Sequence, residues 1–153
     1  MQQSLWDFSV ALYARPGVAE LCLRLQDERD ADVCLLLAAL WLERRRVDVA
    51  AERVAALRDL AGPWQRTVTL PLRRLRRTWK APAADDPTLA ELRRQLAELE
   101  LQAERLLLER LQALAEDWPA TPSAEPGAWL AALAPECRNA LAALLVAAGA
   151  PQS

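Results

Sequence analysis

Val33-Cys34-Leu35-Leu36-Leu37-Ala38-Ala39-Leu40-Trp41-Leu42 decides the fold of this chain, because ten consecutive apolar residues rich in Leu and Ala read as a helix enclosed on every side. The run is half the roughly 20 residues that a helix needs to cross a bilayer, so it marks the centre of a globular core and no membrane span is expected. Asp30 or Asp32 is placed to cap it, and Arg44, Arg45 and Arg46 follow its end, where cations complement the helix dipole.

Helical spacing continues on both sides. Ser4 with Asp7 predicts the start of a first helix whose buried stripe is Leu5, Phe8 and Leu12, stopped by Arg15-Pro16. A second helix is expected from Pro16, with Val18, Leu21, Cys22 and Leu25 on its inner face. Asp48 is the expected cap of a fourth, and Gly62-Pro63 its expected stop. Trp64 to Leu70 has local β character without a pairing strand and reads as irregular. A short helix from Pro71 to Lys80 and a linker over 81–87 lead to the longest element, predicted from a Thr88/Glu91 capping box to about Asp117. A proline-punctuated loop, Trp118 to Gly127, precedes two short helices, Ala128 to Ala134 and Pro135 to Ala148. The expectation is one all-α domain, a single-domain helical bundle of six to eight helices. Its parts are residues 1–80 with the basic helix 71–80, the linker 81–87, and residues 88–148.

Composition excludes more than it assigns. The chain has 153 residues and no histidine, which removes Ser-His-Asp and Cys-His nucleophile pairs and His-ligated metal centres. The three cysteines, Cys22, Cys34 and Cys137, lie among apolar residues without C-x-x-C spacing, as expected of free thiols in a reducing cytoplasm. The opening Met1-Gln2-Gln3-Ser4 does not read as a secretory n-region. No cofactor is expected.

Charge is distributed unevenly behind a net −2: residues 62–84 hold six cations and no acid, while residues 1–61 sum to −2 and residues 85–153 to −6. Counting 100° per residue from Leu72 puts Leu75 and Trp79 beside it, and Arg73, Arg74, Arg76, Arg77 and Lys80 on an opposing arc. Such an arc suits RNA or another phosphate-rich ligand. Pairing with acids of the long helix, such as Glu98, Glu100 and Glu104, accounts for the same residues. The acidic turn Asp27-Glu28-Arg29-Asp30-Ala31-Asp32 offers carboxylates for Mg²⁺, although its spacing fits no calcium loop. Among six tryptophans, Trp118 and Trp129 flank the proline loop and are the candidate partner-facing pair.

The segments Leu5-Trp6-Asp7-Phe8, Leu12-Tyr13-Ala14, Pro16-Gly17-Val18, Leu25-Gln26-Asp27, Asp32-Val33, Leu35-Leu36-Leu37 and Leu40-Trp41-Leu42, with Pro71-Leu72-Arg73, Arg76-Arg77 and Lys80, carry a resemblance. To about residue 80 the chain resembles a family of short, uncharacterised bacterial all-helical proteins classed as a domain of unknown function. That resemblance implies a small cytosolic helical protein and brings no catalytic residues. The leading functional expectation is a non-catalytic accessory protein of the bacterial cytoplasm that binds another macromolecule, a protein before a nucleic acid. RNA or phosphate binding through the arginine helix is the alternative, and a Mg-dependent enzyme using residues 27–32 comes third.

Overall fold

The structure, a computed structural model, describes residues 3–29 and 31–135. Cys137, Asp30 and the expected helix to Ala148 lie outside the described residues. Helix α1 (Leu5–Tyr13) starts as its sequence predicts, with Ser4 Oγ accepting from the Asp7 amide at 3.0 Å and Leu5, Phe8 and Leu12 buried. Helix α2 (Val18–Arg29) begins two residues after Pro16, because Gly17 sits at φ +83°, a left-handed conformation that turns the chain before the helix starts.

Helix α3 (Val33–Arg44) is the core. Asp32 caps it by accepting from the Leu35 amide at 3.1 Å, and every residue from Val33 to Leu42 is buried. It packs against α1, α2, α4, α7 and α8. Arg45, at the end of α3 and 4.5 Å over the Trp41 ring, also reaches the far end of α7, donating to the carbonyls of Ala115, Glu116 and Trp118 at 3.1, 2.9 and 3.0 Å.

Helix α4 (Ala51–Trp64) is entered from Ala50 without a side-chain cap, and the Asp48 carbonyl instead accepts from Arg53 at 2.9 Å. Gly62-Pro63 does not stop it. The helix passes through both residues into a π-helical turn (Gln65–Thr69) and on into α5 (Leu70–Thr78), so the stretch expected to be irregular is helical. Tertiary anchors and local hydroxyls carry it across. Trp64 Nε1 donates to the Ala103 carbonyl at 3.0 Å, and Arg110 lies 4.5 Å over the indole. Thr67 Oγ1 donates to the Pro63 carbonyl at 2.7 Å, satisfying an acceptor loosened where the ladder widens.

Part of the expected linker is the single turn α6 (Lys80–Ala83). Asp86, with Pro87 at the first helical position, caps α7 (Pro87–Ala115) by accepting from the Thr88 and Leu89 amides at 3.1 and 3.2 Å, in place of the Thr88/Glu91 box. Helix α7 is 29 residues long, about 43 Å. Its C-terminal half, through Leu107, Leu108, Leu111 and Ala115, belongs to the α3 core. Its N-terminal half folds back on α5 and α6 as a helical hairpin. Helix α8 (Ala128–Leu133) closes the core, held at its start by Glu43, whose carboxylate accepts from the Gly127 and Trp129 amides at 2.8 and 2.7 Å.

Leu36, 1 % exposed at the centre of α3, and Leu101, 55 % exposed on α7, separate core from surface. Leu36→Ala is expected to cost about 2–5 kcal/mol in urea denaturation and Leu101→Ala no more than about 0.5 kcal/mol. Equal costs would contradict an α3-centred core.

Candidate functional site

Helix α5 turns part of the arginine arc, Arg73 and Arg76, inward. Arg73 is 3 % exposed, with Nε 3.5 Å from Glu100 Oε2 and Nη2 3.6 Å from Glu104 Oε1 on α7. Arg76 Nε donates to Glu100 Oε1 at 2.7 Å, and Arg77 pairs with Asp27 of α2. Arg93 Nε donates to the Arg76 carbonyl at 2.8 Å. The expected orientation is thereby reversed for Arg73, which is buried, and for Leu75, which is 43 % exposed. The reason is the i, i+4 pair of acids on α7: a guanidinium can leave water when carboxylates meet it. Arg74 and Lys80 remain exposed, with no ion-pair partner among the described residues.

The two other candidate groups are engaged within the chain. Trp129 is 1 % exposed and donates its Nε1 proton to the Val47 carbonyl at 2.7 Å. Trp118 stacks on it at 6.0 Å between ring centroids and carries Arg53 on its other side at 5.1 Å, so this pair faces the interior. Apolar chain on both sides of the proline loop draws the rings into the core. In the acidic turn, Asp27 is paired with Arg77 and Asp32 is the α3 cap. Among the described residues no three His, Cys, Asp or Glu side chains converge as a metal site.

What the sequence does not single out is the surroundings of Glu104. Burial, and next the like charge of Glu100, push its carboxyl up to about 7, against the opposing influence of Arg73, Gln26 and Arg76. Burial likewise raises the Tyr13 phenol, with the neighbouring Cys22 adding to the effect. It raises Cys34 and Cys22 as well, keeping both as protonated thiols with no nucleophilic character. Cys34 Sγ donates to the Glu104 carbonyl at 3.8 Å. Beside this group a cavity of about 280 Å³ opens between α1, α3 and α7, walled by Trp6, Val10, Tyr13, Leu37, Leu101 and Leu108. A hollow of about 350 Å³, bearing Gln26, Arg76 and Glu100, shares Tyr13, Leu101 and Glu104 with it.

The hairpin has a second face. Leu92, Leu99 and Leu106 stand at seven-residue intervals along α7, each about half exposed, opposite Leu72, Leu75 and Trp79. Two hollows of about 340 and 350 Å³ lie between these rows and share Leu99 and Gln102. Among the described residues no helix is long and apolar enough to cross a membrane.

Glu104 gives the network a pH signature. Its carboxyl ionises less readily in the fold than in the unfolded chain, so the native state binds more protons between about pH 4.5 and 7, and stability falls as pH rises through that window. Glu104→Gln is expected to remove this slope and to be about 2–3 kcal/mol less destabilised at pH 8 than at pH 4, relative to the parent chain. Parallel stability curves for the two proteins would contradict it.

No curated protein and no solved structure matches the chain. The family model described as a protein of unknown function, DUF2390, matches residues 4–111, a span that includes α1 to α5, the hairpin, Arg73, Glu100 and Glu104. With well over half its length matched, the chain belongs to the DUF2390 family.

Proposed function

We propose that this protein is a non-catalytic adaptor of the bacterial cytoplasm that holds an amphipathic helix of another protein along the outer face of the α5–α7 hairpin. The observation that carries this reading is the spacing of the two hollows. They are centred on Leu92–Leu99 and Leu99–Leu106, seven residues apart, or about 10.5 Å along the α7 axis. Apolar anchors at i and i+7 of an incoming helix match that interval. Each hollow suits one large aliphatic or aromatic side chain, worth about 1.5–3 kcal/mol on burial. Gln95 and Gln102 lie between the leucines and supply carboxamides for the polar margin.

A cytoplasmic setting agrees with Cys22 and Cys34, which are free thiols. Polyanion binding is the weaker reading, because Arg73, Arg76 and Arg77 already meet carboxylates and leave Arg74 and Lys80 as the outward cations of the arc.

A photo-crosslinking side chain replacing Gln102, activated in the producing cell, tests the groove. The expected product joins position 102 to a peptide of a different protein with apolar residues at i, i+3 or i+4, and i+7. Leu99→Glu should abolish it while leaving the far-ultraviolet circular dichroism unchanged. Cross-links to a second copy of this chain alone, or a product indifferent to Leu99→Glu, would overturn the adaptor reading.

A further inference from the structure

A separate site lies on the opposite side of the hairpin. We propose that the cleft between α1, α2, α3 and α7 binds a small organic ammonium ion, its aryl or branched alkyl body in the apolar cavity and its charged nitrogen on the Glu104 carboxylate.

The cavity sets the size and character of the body. Its roughly 280 Å³ equals the share of about nine liquid waters, so it accepts a fragment of about nine heavy atoms. Val10, Tyr13 and Leu101 form its rim at 49, 37 and 55 % exposure, which leaves an open path from solvent. Trp6 and Tyr13 line the cavity with aromatic surface, and the Trp6 ring already carries Arg105 at 4.6 Å, a contact that shows its affinity for a cation.

The charge of the ligand follows from what the walls leave unmatched. Ser9 Oγ donates to the Leu5 carbonyl at 2.8 Å, and Cys34 Sγ donates to the Glu104 carbonyl, so both small polar side chains on the wall have backbone partners. Glu104 differs. Its nearest guanidinium atom is Arg73 Nη2 at 3.6 Å, longer than a hydrogen bond, whereas Glu100 receives the direct 2.7 Å bond from Arg76. Arg73 also faces a third acid, Asp32, while the Asp27 that Arg76 feels is already paired with Arg77. Two guanidiniums among three carboxylates leave room for one more positive charge, and Glu104 is the acid that borders the cavity. An anionic ligand would meet Glu104, with Glu100 in the adjoining hollow, and be repelled.

The nine-atom probe phenethylammonium, compared with 2-phenylethanol and phenylacetate, separates charge from shape. Calorimetry at pH 7.5, with chemical-shift mapping of Tyr13 and Leu101, is expected to show the ammonium binding at least about tenfold more tightly than the alcohol, as a charge-assisted hydrogen bond requires. Phenylacetate should not bind. Glu104→Gln should reduce the ammonium to the affinity of the alcohol, and Val10→Trp, which narrows the mouth, should weaken both. Equal binding of ammonium and alcohol, preference for the carboxylate, an ammonium affinity that survives Glu104→Gln, or no binding at millimolar concentration would each overturn the proposal. Leu99→Glu, on the other face, should leave every one of these titrations unchanged; its loss of ammonium binding would contradict two separate sites.

Discussion

The arrangement of this molecule depends on one guanidinium taken out of water: Arg73, enclosed between α5 and α7 with Glu100 and Glu104. Removing a charge from solvent costs several kcal/mol, and only opposing charges in the right place offset that. The acids on α7 and the arginine on α5 must therefore meet, which fixes the register of the hairpin. Once Arg73 points inward, Leu75, two residues and about 200° further round the helix, must point outward. The exposed leucine row and the buried acid of the cleft are thus two consequences of one ion pair, displayed on opposite sides of α7. A leucine-lined groove and a cleft with a buried acid on the same rod are a natural outcome of that geometry.

The remaining arginines follow a similar logic. Arg45 and Arg58 donate to carbonyls at the C-terminal ends of α7 and α8, and Arg93 to one near the end of α5. Arg45, Arg53, Arg105 and Arg110 also lie over Trp41, Trp118, Trp6 and Trp64. A planar guanidinium can cap carbonyls and stack on indole with the same group, which an ammonium does poorly. The surplus of arginine over lysine and the abundance of tryptophan are in this sense one feature. Within the basic segment 62–84, Arg73 and Arg76 meet Glu100 and Glu104 of α7 and Arg77 meets Asp27 of α2, while Arg74 and Lys80 face solvent.

The sequence makes α1, α3 and the body of α7 plain, because their apolar spacing and the Ser4 and Asp32 caps are local signals. What it conceals is non-local. Gly62-Pro63 has the form of a stop, yet Trp64 reaching Ala103 holds the helix through it, a contact 39 residues distant. Thr67 and Thr69 look strand-like until their hydroxyls are seen back-bonding across the π turn. The orientation of α5 is ambiguous from hydropathy alone, since its leucine side and its arginine side can each be buried, and Glu100 decides between them from 24 residues away. Trp118 and Trp129 stand out in the sequence by their position beside a proline loop, which says nothing about which way the rings face. Glu104 has no motif at all; its character comes from burial beside Glu100.

A double-mutant cycle between Arg73→Met and Glu100→Gln, read by urea denaturation at pH 7.5, tests the central ion pair most directly. Each single change is expected to cost about 3–5 kcal/mol, because it unbalances a buried cluster of charges, and the double change at least about 1 kcal/mol less than the two together. Costs that add within about 0.5 kcal/mol would show that the two side chains do not meet, and would contradict the hairpin register.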